Sequence, residues 1–442
     1  MTVSTRNASL LTRSREAVWH PCTQMKQHES LPLVPIARGE GVWLYDFDGG
    51  RYLDAISSWW VNLFGHANTQ INAALVAQLS SLDHVMLAGF THEPVVQLSE
   101  AFSNLTAGAL GHCFYASDGA SAVEIALKMS FHYWRNTGQE RKTGFVSLAN
   151  SYHGETLGAL AVTDVELFKN VYAPLLRTSA QVQSPDWRLA DKGESPRAYA
   201  ERCAKALERY LAQHHSETAA FIVEPLVQGA TGMAMHDAHY LRLARQLCDR
   251  FDVHLIADEI MTGCGRTGTF FAHEQAQIAP DFLCLSKGIS GGYLPLSVVM
   301  TTDDVYAAFY DDRVTRGFLH SHSYTGNPLA CRAALATLDI FERDSVITRN
   351  RTTAALITEA CRGIATHPRI KNFRTTGMIW AFEVVSSHPD FARNFYRAAL
   401  ERELLLRPIG NSVYFMPPYV INTSEIELLI ERTLEIIDAL PA

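Results

Sequence analysis

The sequence predicts an α/β fold in which a large domain built on a mostly parallel sheet is joined to a smaller α+β domain. Three observations carry this reading. Short apolar runs alternate with helical stretches through the middle of the chain, the succession that builds parallel strands covered by helices on both faces. Two of those runs end in opposite charges: Val253-His254-Leu255-Ile256-Ala257-Asp258-Glu259 delivers a carboxylate, and Asp281-Phe282-Leu283-Cys284-Leu285-Ser286-Lys287 delivers an amine, followed by Gly288, Gly291 and Gly292. In open α/β sheets the C-terminal strand edge is where ligands bind. Finally, 442 residues exceed one typical core, and beyond residue 330 the pattern becomes α+β. The expected division is 1–55 for the N-terminal part of the small domain, 56–330 for the large domain and 331–442 for the C-terminal small domain.

Composition narrows the function. A content of 47% hydrophobic and 19% charged residues is that of a compact protein. The net charge of -8, with no basic block, argues against a nucleic-acid partner and for a small molecule. Eight cysteines without a CxxC pair fit a reducing cytoplasm. Residues 1–18 are polar, and no stretch approaches the roughly 20 apolar residues of a membrane span. The expectation is neither export nor membrane.

Taken in order, Gly41 to Asp54 reads as a hairpin, because Asp48-Gly49-Gly50 supplies the positive φ of a tight turn. Ser57-Ser58-Trp59-Trp60 follows. In an extended chain adjacent tryptophans face opposite sides, so both pack in the core or at least one lines a pocket. Helical spacing covers 68–82 and 94–105. The strand His112 to Ala116 runs into Ser117-Asp118-Gly119-Ala120-Ser121, which opens a helix and is either an ordinary N-cap or a phosphate-binding terminus. Thr143 to Leu148 ends at Ala149-Asn150-Ser151-Tyr152-His153-Gly154, where an aromatic suits stacking on a flat ring. The stretch between Gln181 and Ser216 is charged, with helical spacing from Ala198 to Leu211 that reads as an outer helix, and Ala219 to Glu224 reads as another strand. Gly263-Cys264-Gly265-Arg266-Thr267-Gly268 matches G-x-G-x-x-G, but Asp258 to Thr262 separates it from the strand and no helix start follows, so a dinucleotide loop is not expected. The histidines show no ligand spacing and no metal is expected. His320 to Pro328 is a polar loop before a long helix from Leu329 to Phe341, and further helices and strands run to the C-terminus.

A strand-end lysine near a strand-end aspartate is either a plain salt bridge, costly between core strands, or the apparatus of pyridoxal 5'-phosphate (PLP) chemistry. In the latter the lysine condenses with the cofactor aldehyde as a Schiff base and the aspartate keeps the pyridine nitrogen protonated. With Asp258, Arg266, Lys287 and the Ser323-to-Pro328 loop together, the chain resembles the subgroup III (ω-type) aminotransferases of PLP fold-type I from about Trp19 to Tyr419. Ile256-Ala257-Asp258-Glu259, Gly265-Arg266-Thr267-Gly268 and Lys287-Gly288 are specific for that class.

The resemblance implies a seven-stranded-type sheet in the large domain, with Lys287 as the Schiff-base lysine and Asp258 on the pyridinium. It implies Ile260 and Tyr152 on the two ring faces, and amides of Gly119 and Ala120 on the phosphate. Ser323 stands where the family reaches the phosphate of a neighbouring subunit, usually through threonine, so a homodimer with shared sites is expected. Trp19-His20-Pro21, Ser57-Ser58-Trp59-Trp60, Arg407-Pro408 and Tyr414 through Pro418 are similar to the branch that aminates 8-amino-7-oxononanoate in biotin biosynthesis. S-adenosylmethionine is the expected donor there; the alternatives are the same reaction with lysine as donor, or another ω-amino acid:pyruvate-type aminotransferase. In that branch Arg407 would bind the acceptor carboxylate, and Trp59, Trp60 and Tyr414 would wall its aliphatic chain. Cys22 departs from a tyrosine whose hydroxyl reaches the substrate, and His322-Ser323 from a Pro-Thr pair. Arg266 and Glu155 match motif positions without a definite role.

Overall fold

The computed structural model describes residues 5–31 and 33–441, and the chain forms two compact units. One comprises the chain up to Thr69 with Ala355–Phe373 and the chain from Trp380; the other comprises Gln70–Ala354 and Arg374–Ile379.

The second unit is organised on a seven-stranded sheet. Its spatial order is His112–Ala116, Ser297–Thr301, Phe282–Leu285, His254–Asp258, Thr218–Val223, Gly144–Leu148, Ala180–Val182. Ser297–Thr301 runs antiparallel to both neighbours, and the remaining strands share one direction. Every residue of Thr218–Val223, His254–Asp258, Phe282–Leu285 and Ser297–Thr301 is buried. That explains why these strands read as unbroken apolar runs rather than alternating ones. The helix Gly119–Asn136 lays Ala122, Val123, Ile125, Ala126 and Met129 into the core formed with Ile222, Ile256, Phe282 and Val299. Each fully buried side chain of Val, Ile or Phe size stabilises by about 1.5–3 kcal/mol.

Two elements differ from the reading of the sequence. The edge strand Ala180–Val182 was not expected: it falls at the start of the charged stretch, ahead of the helical spacing, and three residues are too few to show alternation. The helix Pro328–Arg343, expected in the small domain, belongs to the sheet-bearing unit. It buries Ala330, Cys331, Ala333, Ala334, Leu335 and Ala336, and an apolar surface on nearly all sides requires packing on several neighbours. One neighbour is the loop after Lys287: a Cβ at Gly291 would lie 2.9 Å from Thr337 Oγ1, and Gly291 has φ +65°.

In the first unit the expected hairpin forms, with Trp43–Asp46 and Arg51–Asp54 antiparallel and Trp43 opposite Leu53. Asp46 Oδ1 accepts the N–H groups of Asp48 and Gly50 across the turn. Leu404–Leu405 adds in parallel, placing Leu405 opposite Asp54. Ser412–Phe415 pairs antiparallel with the chain around Trp380–Glu383. The terminal helix Thr423–Ala439 starts at a capping box between Asn422 and Glu425. Among the described residues no helix is long and apolar enough to cross a membrane.

Candidate active site

Because His112–Ala116, Gly144–Leu148, Thr218–Val223, His254–Asp258 and Phe282–Leu285 point the same way, their C-terminal ends meet at one sheet edge. Buried ionisable residues end or follow several of these strands. Asp258 is 4% exposed. Its Oδ2 lies 2.7 Å from His153 Nδ1, and its Oδ1 accepts the Ile260 N–H at 3.2 Å. Since an ionised carboxylate only accepts, the shared proton belongs to His153 Nδ1. His153 Nε2 is buried and has no hydrogen-bond partner among the described residues. Glu224, one strand over, accepts the N–H of Tyr152 at 3.0 Å and of Gly229 at 2.9 Å. Burial, aided by the nearby Asp258 charge, pushes its carboxyl up to about 7, against the pull of His153 and the two amides.

Lys287 enters this acidic edge on a backbone with φ +45°. For a non-glycine residue that conformation costs of order 1–3 kcal/mol and persists where the surroundings over-determine it. Here the fully buried strand precedes it, and Ser286 Oγ donates to Leu296 O at 2.8 Å. The residue keeps some accessible surface, but its ammonium end is enclosed. Burial lowers the Lys287 pKa while Asp258 and Glu224 oppose the shift. The net lowering shifts the group towards the neutral amine, the form that acts as a nucleophile and a base.

Asp118 caps the helix that begins at Gly119, accepting the N–H and the hydroxyl of Ser121, both at 2.9 Å. The N–H groups of Gly119 and Ala120 have no acceptor among the described residues, so the positive end of an 18-residue helix is left with two open donors. Gly119 packs closely on Ile260: a Cβ there would lie 2.9 Å from two Ile260 carbons. Tyr152 is fixed at three points. Its N–H donates to Glu224, its hydroxyl to Glu155 Oε1 at 2.9 Å, and its ring meets Phe168 edge-on at 5.5 Å. Glu155 thereby acquires a structural task. Ser323 is exposed and makes no hydrogen bond to the strand-edge residues. Its loop is held instead by Thr325 Oγ1 on His322 O and by His92 Nε2 on Gly326 O, both at 2.8 Å.

The glycines of the G-x-G-x-x-G match lie in turns, not at a helix start. Gly265 and Gly268 have φ +85° and +104°, and a Cβ at Gly377 would clash with the Gly268 backbone. These glycines let two chain segments cross, and Met378 N–H donates to Arg266 O at 2.8 Å.

In the first unit, Ser57-Ser58-Trp59-Trp60 is not extended. All four residues have positive φ, at 51°, 46°, 71° and 73°. They form a left-handed turn whose conformation costs L-residues roughly 1–2 kcal/mol each. Local propensity does not encode such a turn; tertiary hydrogen bonds hold it. Trp60 is buried and donates from Nε1 to Tyr414 OH at 3.1 Å. Burial pushes the Tyr414 hydroxyl up to about 12, against the Trp60 bond and the Arg407 charge. Trp59 is 43% exposed, and the Arg407 guanidinium carbon stands 5.1 Å from its ring centroid. Arg407 Nη2 also donates to Cys22 O at 3.4 Å. Arg407, Trp59, Trp60, Tyr414 and Cys22 thus form one contact group, with Arg407, Trp59 and Cys22 exposed.

The strand edge fits pyridoxal phosphate. A buried anion suits a pyridinium nitrogen, an enclosed amine suits an aldehyde, and open helix N–H groups suit a phosphate. Reasoning from sequence missed His153 and Glu224. Glu224 ends the strand Thr218–Val223 as Asp258 ends its own, so the same strand-end rule would have found it. His153 carried no signal beyond its place beside Tyr152.

Comparison with known proteins agrees. The family model for class-III aminotransferases matches residues 24–437. The adenosylmethionine-8-amino-7-oxononanoate aminotransferase of Helicobacter pylori is 46% identical over 432 residues, covering 96% of this chain and 97% of its own. The crystal structure of the enzyme of that name from Methanocaldococcus jannaschii superposes with a TM-score of 0.91 at 34% identity, covering 97% of this chain and 98% of its own. An amine transaminase from an uncultivated Pseudomonas species, solved in its PLP-bound form, superposes with a TM-score of 0.90 at 30% identity, covering 96% of this chain and 98% of its own. A family model matching residues 24–437, with relatives covering nearly the whole chain, shows that the chain belongs to the class-III aminotransferases, which are pyridoxal phosphate-dependent enzymes.

Proposed function

We propose that this aminotransferase converts 8-amino-7-oxononanoate to 7,8-diaminononanoate in biotin biosynthesis, with S-adenosylmethionine as amino donor. The reading is carried by the 46% identity over 96% of the chain to an enzyme named for that acceptor and donor. Pyridoxal phosphate, when bound, supplies the electron sink that makes a donor α-proton removable. Lys287 Nζ would take that proton from the donor α-carbon and hold it for redelivery, and in the second half-reaction would return a proton to the acceptor carbon. Asp258, oriented by His153, would hold the proton on the pyridine nitrogen. Tyr152 and Ile260 would hold the ring faces, and Gly119 and Ala120 would donate to the phosphate. Arg407 takes the acceptor carboxylate, and Trp59, Trp60 and Tyr414 offer apolar surface to its chain. Cys22 presents only its carbonyl to Arg407, leaving the donor contacts to other groups.

Ser323 reaches the phosphate of a second copy, which makes the working form a homodimer with shared sites. Its exposure and its lack of any bond to its own strand edge support this. The eight cysteines are free, six of them buried, which supports a cytoplasmic location. The test is borohydride treatment of the purified protein followed by peptide mapping. A visible band that bleaches, with the cofactor fixed on Lys287, is expected. A protein that takes up no pyridoxal phosphate would refute the proposal.

A further inference from the structure

We propose that Asp54 is a positioning residue that holds Ser57–Trp60 in its left-handed form and so sets where the Trp59 ring meets Arg407. The inference rests on the reading above that this group receives the acceptor's chain and carboxylate.

The Asp54 side chain is fully buried and accepts three hydrogen bonds. Ser58 N–H donates to Oδ1 at 2.8 Å, Ser58 Oγ to Oδ2 at 2.6 Å, and His66 Nε2 approaches Oδ2 at 3.0 Å. His66 Nδ1 faces Asn62 Nδ2 at 3.1 Å, and an amide nitrogen only donates. Nδ1 therefore accepts, the ring proton sits on Nε2, and that proton points at Asp54. Ser58 and the His66–Asn62 pair thus meet on one carboxylate, which fixes Ser58 in a conformation it would otherwise leave. On the other side Ser57 Oγ donates to Met416 O at 2.7 Å, and Met416 N–H donates to Ala55 O at 2.8 Å.

The left-handed form decides where the rings go. Along a strand, Trp59 and Trp60 would point to opposite faces. A helical turn instead sets successive side chains about 100° apart. Trp60 can then reach the Tyr414 hydroxyl while Trp59 lies under Arg407. Asp54 also pairs with Leu405, two residues before Arg407. One residue thus sets both members of the Trp59 and Arg407 contact, its side chain through the turn and its backbone through the strand.

The test measures KM and kcat for 8-amino-7-oxononanoate on the cofactor-loaded full chain, with the visible spectrum recorded for each variant. Asp54→Asn sets an amide donor against groups that themselves donate, and should raise KM about tenfold, as Trp59→Ala should, with kcat and spectrum little changed. Adding Ser58→Gly to Asp54→Asn should recover much of the lost affinity, because glycine adopts positive φ without a Cβ penalty. Ser58→Ala removes only the hydroxyl bond and should raise KM roughly threefold; it serves if Asp54→Asn fails to fold. An unchanged KM in Asp54→Asn or Ser58→Ala, with KM raised in Trp59→Ala, overturns the positioning role alone. A parallel fall in kcat and melting temperature with no recovery from Ser58→Gly also overturns it, in favour of general support. If Trp59→Ala itself has no effect, the reading on which the inference rests is lost.

Discussion

Asp258 and Trp59 show two ways of presenting a side chain of the proposed site. Asp258 ends a strand whose five residues are all buried, on a sheet that fixes its place without special backbone. Trp59 is 43% exposed, in the middle of a turn that L-residues avoid, and is placed by a few hydrogen bonds to Asp54 and Met416. The contrast follows the demands on each. Charge stabilisation needs fixed groups in a low dielectric, which a buried sheet edge provides. Recognition of an aliphatic acid needs apolar area and one cation, which can be adjusted in a turn without disturbing the core. Substitutions at the sheet edge should therefore damage turnover with any substrate, and substitutions around the turn should damage affinity for one.

The largest expected effect is at Asp258. Asp258→Asn should bind the cofactor yet lose activity by on the order of 100- to 1,000-fold, since a neutral amide does not hold the pyridinium charge. Turnover near wild type, measured with both substrates saturating, would remove Asp258 from this role and with it the contrast.

Next is Arg407. A bidentate charge-assisted pair contributes about 1.5–3 kcal/mol, so Arg407→Ala should weaken 8-amino-7-oxononanoate roughly ten- to a hundred-fold. The half-reaction with S-adenosylmethionine should change less. Equal losses in both half-reactions, followed by single-turnover absorbance, would show that Arg407 supports the pocket in general.

His153 tests whether the sheet edge needs its second layer. His153→Ala takes from the buried Asp258 carboxylate its 2.7 Å partner, and pyridoxal phosphate affinity should fall about tenfold by equilibrium titration of the cofactor-free protein. An unchanged dissociation constant would mean that the Ile260 amide and the sheet suffice to orient Asp258.

The last effect falls on stability and not on turnover or affinity, and concerns Glu224 and pH. Burial raises its carboxyl from an ordinary 4.5 to about 7. Between those values the folded chain holds a proton that the unfolded chain has released, so stability falls as pH rises through that window and stays lower above it. The loss is ~3 kcal/mol at most. In the cofactor-free protein, Glu224→Gln should flatten the decline in denaturation midpoint between pH 4.5 and 7. The same slope in both proteins would place the titration elsewhere.

Much of the sheet edge was legible because a strand buried on both faces writes itself as an apolar run, and a polar residue at its end is conspicuous. Asp258 and Lys287 were found in that way, and the strand His112–Ala116 has the expected bounds. The antiparallel course of Ser297–Thr301 was not legible, since a buried strand reads the same in either direction. The Ser57–Trp60 turn was misread as extended because its conformation depends on Asp54 and Met416, the latter more than 350 residues away. The helix Pro328–Arg343 was assigned by its place in the chain, while its all-round apolar surface required the sheet-bearing unit.

The proposed mechanism requires one lysine-centred site to pass an amino group from a donor to a keto acid. A two-stage single-turnover titration of the purified, pyridoxal phosphate-loaded protein tests it most directly. S-adenosylmethionine should abolish the visible band, and 8-amino-7-oxononanoate added after removal of the donor should restore it with one equivalent of 7,8-diaminononanoate per site. Lys287→Ala should complete neither stage at a measurable rate. A band that no amine alters, or one restored by other keto acids but never by 8-amino-7-oxononanoate, would contradict the account.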